Sequence, residues 1–181
     1  AEIINVADID YGRGEVLHHL TVGIGRPDFE GIAAADLAGP DSHAAAVDRS
    51  RFAGRRPYAT RACRTVFTHS LEQKAGVGAT RNDYLLGTLR ADDEPTFVDE
   101  ALAEAEKVCW HLAYDGMRWR FHTEPNVNKI IEDEKRNIAN SVVSAAVDDQ
   151  IERVFATDAG VTPIHFPNGP ADVKDDMKHA G

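Results

Sequence analysis

The chain is expected to be mainly α-helical with one small β-hairpin, an α+β arrangement centred on a winged helix-turn-helix with flanking helices. Three observations predict it. Apolar residues recur at helical spacing from about Tyr58 to Leu71, and again from Pro95 towards Leu112. Between these runs, Thr80-Arg81-Asn82-Asp83 opens a short helix with an acid three residues after the cap. After them, alternating residues surround Tyr114-Asp115-Gly116, and Asp-Gly is a strong tight-turn signal. Helix, short helix, turn, longer helix and hairpin follow one another over residues 57–123, the winged-helix order.

The flanks read as follows. Residues 1–50 form a helical N-terminal flank. Gly14–Val22 makes a short helix with Val16, Leu17 and Leu20 on one face, and Gly23-Ile24-Gly25-Arg26-Pro27 breaks it. Helical pattern resumes from Phe29 to Leu37, and Ser42 caps a helix running through Val47. The winged-helix domain occupies 51–124. Its first helix should bury Ala59, Cys63, Val66 and Phe67 and point Arg61 and Arg64 outward. In its short helix Tyr84, Leu85 and Leu89 face inward. Pro95 suits the first turn of the longer one, which buries Val98, Ala101, Leu102 and Ala105. The hairpin pairs Trp110–Ala113 with Met117–His122, and Met117, Trp119 and Phe121 line its apolar face. A helical extension over 125–158 buries Val127, Ile130, Ile131 and Ile138, with a break near Asn140-Ser141. A short strand, Val161–Phe166, and a frayed polar tail fill 159–181.

Composition narrows the function. Thirty acids oppose twenty bases, a formal net charge of −10, which repels nucleic acid unless basic residues cluster. Arg (14) outnumbers Lys (6), which fits either a salt-adapted source or GC-rich codon usage. No apolar run approaches the roughly 20 residues that span a bilayer, and no signal peptide opens the chain, so a cytoplasmic location and no membrane partner are expected. The chain starts at Ala1 rather than Met, as a processed or excised segment would. Cys63 and Cys109 sit in helical patterns and read as reduced core residues.

Catalytic motifs are missing. There is no phosphate-cradling Gly-rich loop ending in Gly-Lys, no Gly-x-Ser-x-Gly turn, no His-Glu-x-x-His helix and no Cys-x-x-Cys pair. His122-Thr123-Glu124 mimics the start of a zinc deaminase signature without its cysteines. His18-His19 are adjacent and diverge on a helix. Asp8, Asp10 and Glu15 read as an acidic arm rather than a metal cluster. No catalytic residue and no metal are expected.

Two charged features remain as candidate sites. Residues 49–64 hold Arg49, Arg51, Arg55, Arg56, Arg61 and Arg64 with no acid. Together with Arg118 and Arg120 of the hairpin they are candidate contacts for phosphate or nucleic acid; the alternative is that they pair with the chain's own acids or dock a neighbouring domain. The helix that would enter a major groove carries the opposite sign. Asp99, Glu100, Glu104 and Glu106 lie opposite its apolar stripe, so this face should repel DNA and is the candidate protein-interaction face.

The stretch Trp119–Ile138, with Thr123-Glu124-Pro125-Asn126-Val127-Asn128-Lys129 at its centre, resembles a motif of a family of large predicted AAA+-type ATPases associated with DNA methylases in phage-defence islands. Arg55–Arg61, Thr65–Leu71, Val98–Leu102 and His165-Phe166-Pro167 resemble the same family more loosely. The resemblance implies a winged-helix and helical portion after an ATPase core. The family's nucleotide-binding motif lies upstream, so no cofactor is implied in this segment, and ATP only for the larger protein. It implies a non-catalytic interaction or regulatory module whose partner is the rest of that ATPase or another protein, with DNA as the alternative partner.

Overall fold

The structure, a computed structural model, describes residues 4–72, 77–138 and 140–155. It divides into two compact units, Ala1–Asp133 and Glu134–Gly181. In the first unit, α1 (Gly14–Thr21), α2 (Phe29–Asp36), α3 (His43–Arg51), α4 (Tyr58–Ser70), α5 (Arg81–Thr88) and α6 (Pro95–Val108) precede an antiparallel pair, β1 (Leu112–Tyr114) and β2 (Trp119–Phe121). Helix α7 (Val127–Asn137) begins in the first unit and ends in the second, and α8 (Asn140–Phe155) lies in the second. The protein is thus mainly helical with a small two-stranded sheet, as expected of an α+β chain.

Local chemistry sets most of these boundaries. The Ser42 hydroxyl accepts from Ala45 N–H at the start of α3. Thr80 and Asp83 form a reciprocal capping box on α5, each side chain bonding the other's backbone N–H. Pro95 opens α6, where its missing N–H costs no helical bond. Helix α4 also gains a cap from outside its own sequence. The Asp48 carboxylate on α3 accepts from Ala59 N–H at 2.8 Å, Thr60 N–H at 2.9 Å and the Thr60 hydroxyl at 2.6 Å.

Helix α4 is the hub of the first unit. It packs against α3, α5, α6, β2 and a 3-10 turn at Val6–Asp8. Ala59, Cys63, Val66 and Phe67 are buried as expected, but so are Thr65, Ser70 and Arg61. A helix enclosed on nearly every side has no outward face for Arg61, which is only 7% exposed; this corrects the outward orientation expected from the helical pattern. The core also extends across residue 50. Tyr11, Phe29, Ile32, Leu37 and Val47 belong to one cluster with Phe67, Leu102 and Phe121. Tyr11, Phe29 and Phe121 each meet the Phe67 ring edge-on, with centroids 5.0–5.7 Å apart.

In the sheet, Leu112 faces Phe121, Ala113 faces Arg120 and Tyr114 faces Trp119. A third segment joins the free edge of β2, since Ala79 and Trp119 exchange both backbone hydrogen bonds, at 2.8 and 2.9 Å. Gly78 permits this approach. Its φ is +109°, and a Cβ there would lie 2.6 Å from the Trp119 carbonyl oxygen.

The hairpin strands are shorter than expected. Asp115 Oδ1 accepts from both Met117 N–H and Arg118 N–H, so these residues belong to the turn, and Met117 is 70% exposed rather than on an apolar face. The expected buried stripe on α7 is also corrected. Val127, Ile131 and Ile138 are exposed and no residue of α7 is buried. Amphipathic spacing marks a face that can be covered without supplying the cover. The strand expected at 161–166 and the tail lie outside the described residues.

Candidate functional site

The arginine cluster is largely committed to the protein's own carboxylates. Arg61 donates to Asp8 and to the Thr88 carbonyl, the latter at 2.9 Å. Arg64 meets Asp10 at 3.1 Å, Arg56 meets Asp93 at 3.2 Å and Arg51 meets Glu104 at 3.4 Å. Arg49 donates to the Pro40 carbonyl, and the Arg55 guanidinium lies 4.4 Å above the Phe97 ring. Arg61 is therefore not available to an outside phosphate, because burial and two internal acceptors hold its guanidinium. The six charges do not form a bare basic patch; carboxylates from distant parts of the chain neutralise most of them.

Asp8 and Asp10 correspondingly do more than decorate an acidic arm. Burial alone would raise the Asp8 carboxyl, but hydrogen bonds from Asn5 N–H, Arg61 and Arg90 outweigh it and lower it to about 2. These contacts tie the N-terminal segment to α4 and to the α5–α6 connection. Asp93 acts similarly from that connection, accepting from the Tyr58 hydroxyl at 2.9 Å and Arg90 N–H at 2.9 Å as well as Arg56.

The four acids of α6 are not equivalent. Asp99 accepts from Arg81 and from the Tyr84 hydroxyl, both at 2.6 Å, and burial together with Asp99 pushes the Tyr84 phenol up. Glu104 is held below the usual carboxylate range chiefly by its hydrogen bond from Lys107, and Arg51 adds to this. Glu106 accepts from Tyr114 N–H at 3.2 Å. Glu100 is exposed and has no ion pair with a described cation. Arg81, Arg51 and Lys107 offset part of the acidity of this face.

The hairpin arginines differ from the cluster. Arg118 donates to the Gly78 carbonyl at 3.3 Å, and the Arg120 Nε–H donates to His122 Nε2 at 2.9 Å. Neither forms an ion pair with a described carboxylate; Arg120 lies on β2 and Arg118 in the turn that precedes it. Burial, aided by the Arg120 charge, lowers the His122 pKa and keeps the ring neutral as an acceptor.

The Thr-Glu-Pro-Asn-Val-Asn-Lys stretch occupies the junction between hairpin and α7. Asn126 N–H donates to the Trp110 carbonyl at 2.8 Å, and Asn126 Oδ1 accepts from Asn128 N–H at 3.1 Å. Lys129 Nζ reaches back to the carbonyls of Cys109 and Leu112, at 3.1 and 2.9 Å. From the other side, the fully buried Asp36 carboxylate accepts from Trp110 N–H, His111 N–H and His43 Nδ1, all within 2.9 Å. His43 Nε2 then lies 3.6 Å from Asp133 of α7. Sequence reasoning missed Asp36, His43 and Lys129. No local pattern could have flagged Asp36, whose backbone partners are more than seventy positions away.

Cys63 and Cys109 are free, buried thiols, and burial pushes the Cys109 thiol up. Among the described residues, no group of three or more His, Cys, Asp or Glu is placed to hold a metal ion, and no helix is long and apolar enough to cross a membrane. What the described residues define is a mainly helical α+β protein in which internal carboxylates engage four of the six arginines of the 49–64 cluster. Comparison of the chain with protein-family models, with curated proteins and with solved structures gave no match.

Proposed function

We propose that this chain is a winged-helix module with a non-catalytic, protein-contacting role, and that it belongs to a larger AAA+-type ATPase acting in DNA-related phage defence. The winged-helix reading is supported by the order α4, Ala79 segment, α5, α6, β1, β2, in which the segment before α5 pairs with the last strand. The ATPase parentage rests on the sequence resemblance, chiefly that of Trp119–Ile138 and more loosely that of Arg55–Arg61, Thr65–Leu71, Val98–Leu102 and His165-Phe166-Pro167. The carrying observation for the role is electrostatic: on α6 the exposed Glu100 has no ion pair with a described cation and the half-buried Glu106 accepts only from Tyr114 N–H, while Arg51, Arg56, Arg61 and Arg64 are engaged by internal carboxylates. A helix that reads DNA needs a face that neutralises phosphate, and α6 offers carboxylates. The partner surface that fits it is basic.

A second reading has one specific observation in its favour. Arg118 and Arg120 stand on the hairpin without an ion pair to a described carboxylate, where a wing would meet a phosphate backbone. Titrating labelled duplex DNA at about 50 mM and about 200 mM salt separates the two. Absence of saturable binding even at the lower salt is expected. Binding abolished by joint Arg118→Gln and Arg120→Gln replacement would transfer the role to the wing.

A further inference from the structure

Between the N-terminal approach to α2 and the far side of β2 lies a cavity of about 290 Å³. Phe29 and Phe121 line its base, and Arg26, Arg120, His122 and Thr123 are among its walls. We propose that this cavity is a binding site for a small oxyanion, a phosphate monoester or a comparable anionic group. The proposal is independent of the role assigned above.

Three features carry it. The first is the state of Arg120. Its Nε–H is used by His122 Nε2, and neither terminal nitrogen donates to a described residue. A guanidinium anchored through Nε in this way keeps its two terminal amino groups in a fixed plane, the fork that bidentate recognition of phosphate or carboxylate uses. The neutral imidazole orients that fork and adds no charge of its own.

The second is Arg26. Its guanidinium lies 4.1 Å above the Phe29 ring and 3.5 Å from Asp28. It is thereby fixed at the cavity wall with hydrogen-bonding capacity to spare, since five N–H groups face one carboxylate. The third is the wall chemistry. Two cations border a space whose base is aromatic and whose hydroxyl, that of Thr123, is available as a donor. The exposed Glu72 also lines the cavity and opposes an anion, but it is not within ion-pairing distance of Arg120 or Arg26. Each basic side chain of the 49–64 block has an internal acceptor or an aromatic face. Arg120 retains unsatisfied donors in a concave site, where they gain most from a ligand.

The test uses the full chain. Inorganic phosphate and a nucleoside monophosphate are titrated separately while the Arg120 side-chain Nε–H and His122 ring resonances are followed by NMR. Saturable shifts of both, with a Kd of about 1 mM or tighter, are expected. Arg120→Gln and, independently, Arg26→Gln should each weaken binding by about tenfold or more, with thermal melts checking that the fold is kept. Should Arg120→Gln fail to fold, Arg26→Gln together with the wild-type shifts decides the matter. Unmoved resonances for both ligands, or binding indifferent to Arg26→Gln and Arg120→Gln, would overturn the site. Duplex DNA is the remaining arm: shifts induced by DNA but by neither small phosphate would also overturn it and would favour the wing as a backbone contact.

Discussion

Replacing Gly87 with alanine isolates the contact that sets how closely α5 approaches α4. In an open helical position, Gly→Ala stabilises by about 0.5–1 kcal/mol through lost backbone freedom in the unfolded chain. Here the new methyl would fall 2.4 Å from Thr65 Cγ2 and 3.1 Å from Thr65 Oγ1. Carbon atoms settle at about 3.5–4.0 Å, so the two groups must separate by roughly 1 Å. Thr65 cannot turn aside freely, because it is fully buried and its hydroxyl bonds Thr88 Oγ1 at 3.0 Å and the Arg61 carbonyl at 3.3 Å. Overpacking of this kind costs about 1–3 kcal/mol, which leaves a net loss of about 0.5–2 kcal/mol after the helical gain is subtracted. Urea unfolding of G87A, T65S and the double variant measures it. Thr65→Ser deletes Cγ2 and keeps the hydroxyl, so the G87A penalty should shrink by about 1 kcal/mol in that background. A G87A protein as stable as the wild type, or a penalty untouched by T65S, would refute the close-crossing explanation.

Three further outcomes test other parts of the structure. Arg61→Ala should cost about 2–3 kcal/mol, because the Thr88 carbonyl loses a buried charged donor and Asp8 keeps only Arg90 as a cationic partner, whereas Arg55→Ala, which loses one exposed ring contact, should cost about 1 kcal/mol or less; equal effects in denaturant titrations would contradict the division of the cluster. Lys129→Met removes the donor from the Cys109 and Leu112 carbonyls, and a loss of about 1–3 kcal/mol with faster amide exchange at Asn126, whose N–H donates to the Trp110 carbonyl, is expected; unchanged exchange there would show that the junction does not depend on it. The His43 pKa is raised, first by its hydrogen bond to Asp36, against a smaller opposing effect of burial and with further help from Asp133. Its contribution to stability is therefore fully present below the unfolded histidine value of about 6.5 and fades as pH rises through the higher folded value. Melting temperatures across that window should fall more steeply for wild type than for His43→Gln, and parallel curves would remove His43 from the account.

The legible parts of the fold were those whose causes are local. The Thr80–Asp83 capping box, the Ser42 cap, Pro95 at a first turn and the apolar face of α6 each depend on residues within a few positions, and each was readable from spacing. The turn at Asp115-Gly116 was legible too, although one Asp115 carboxylate oxygen captures two following N–H groups and so shortens the strand that alternation suggested. What spacing could not reveal was enclosure. The α4 pattern gives a face for Cys63 and Val66, but whether the opposite face meets solvent depends on the 3-10 turn carrying Asp8, 53 residues before Arg61. On α7 the error runs the other way: Val127 and Ile131 have the spacing of a buried stripe and remain exposed.

The same distinction governs the candidate site. Six arginines in sixteen residues with no acid among them look basic because neighbours along a chain are counted together, yet electrostatic neighbours are defined in space. Arg51, Arg56, Arg61 and Arg64 draw their counter-charges from α6, the α5–α6 connection and the N-terminal segment. Hairpin residues are placed differently. Arg118 and Arg120 make no ion pair with a described carboxylate and retain donors that most of the denser cluster has already spent. Mutual repulsion within the 49–64 block thus favours internal pairing, and the hairpin arginines are left without an ion pair to a described carboxylate. Phosphate recognition by this chain, whether of a small ester or of a nucleic-acid backbone, should accordingly be lost on changing Arg120 and survive changing Arg64.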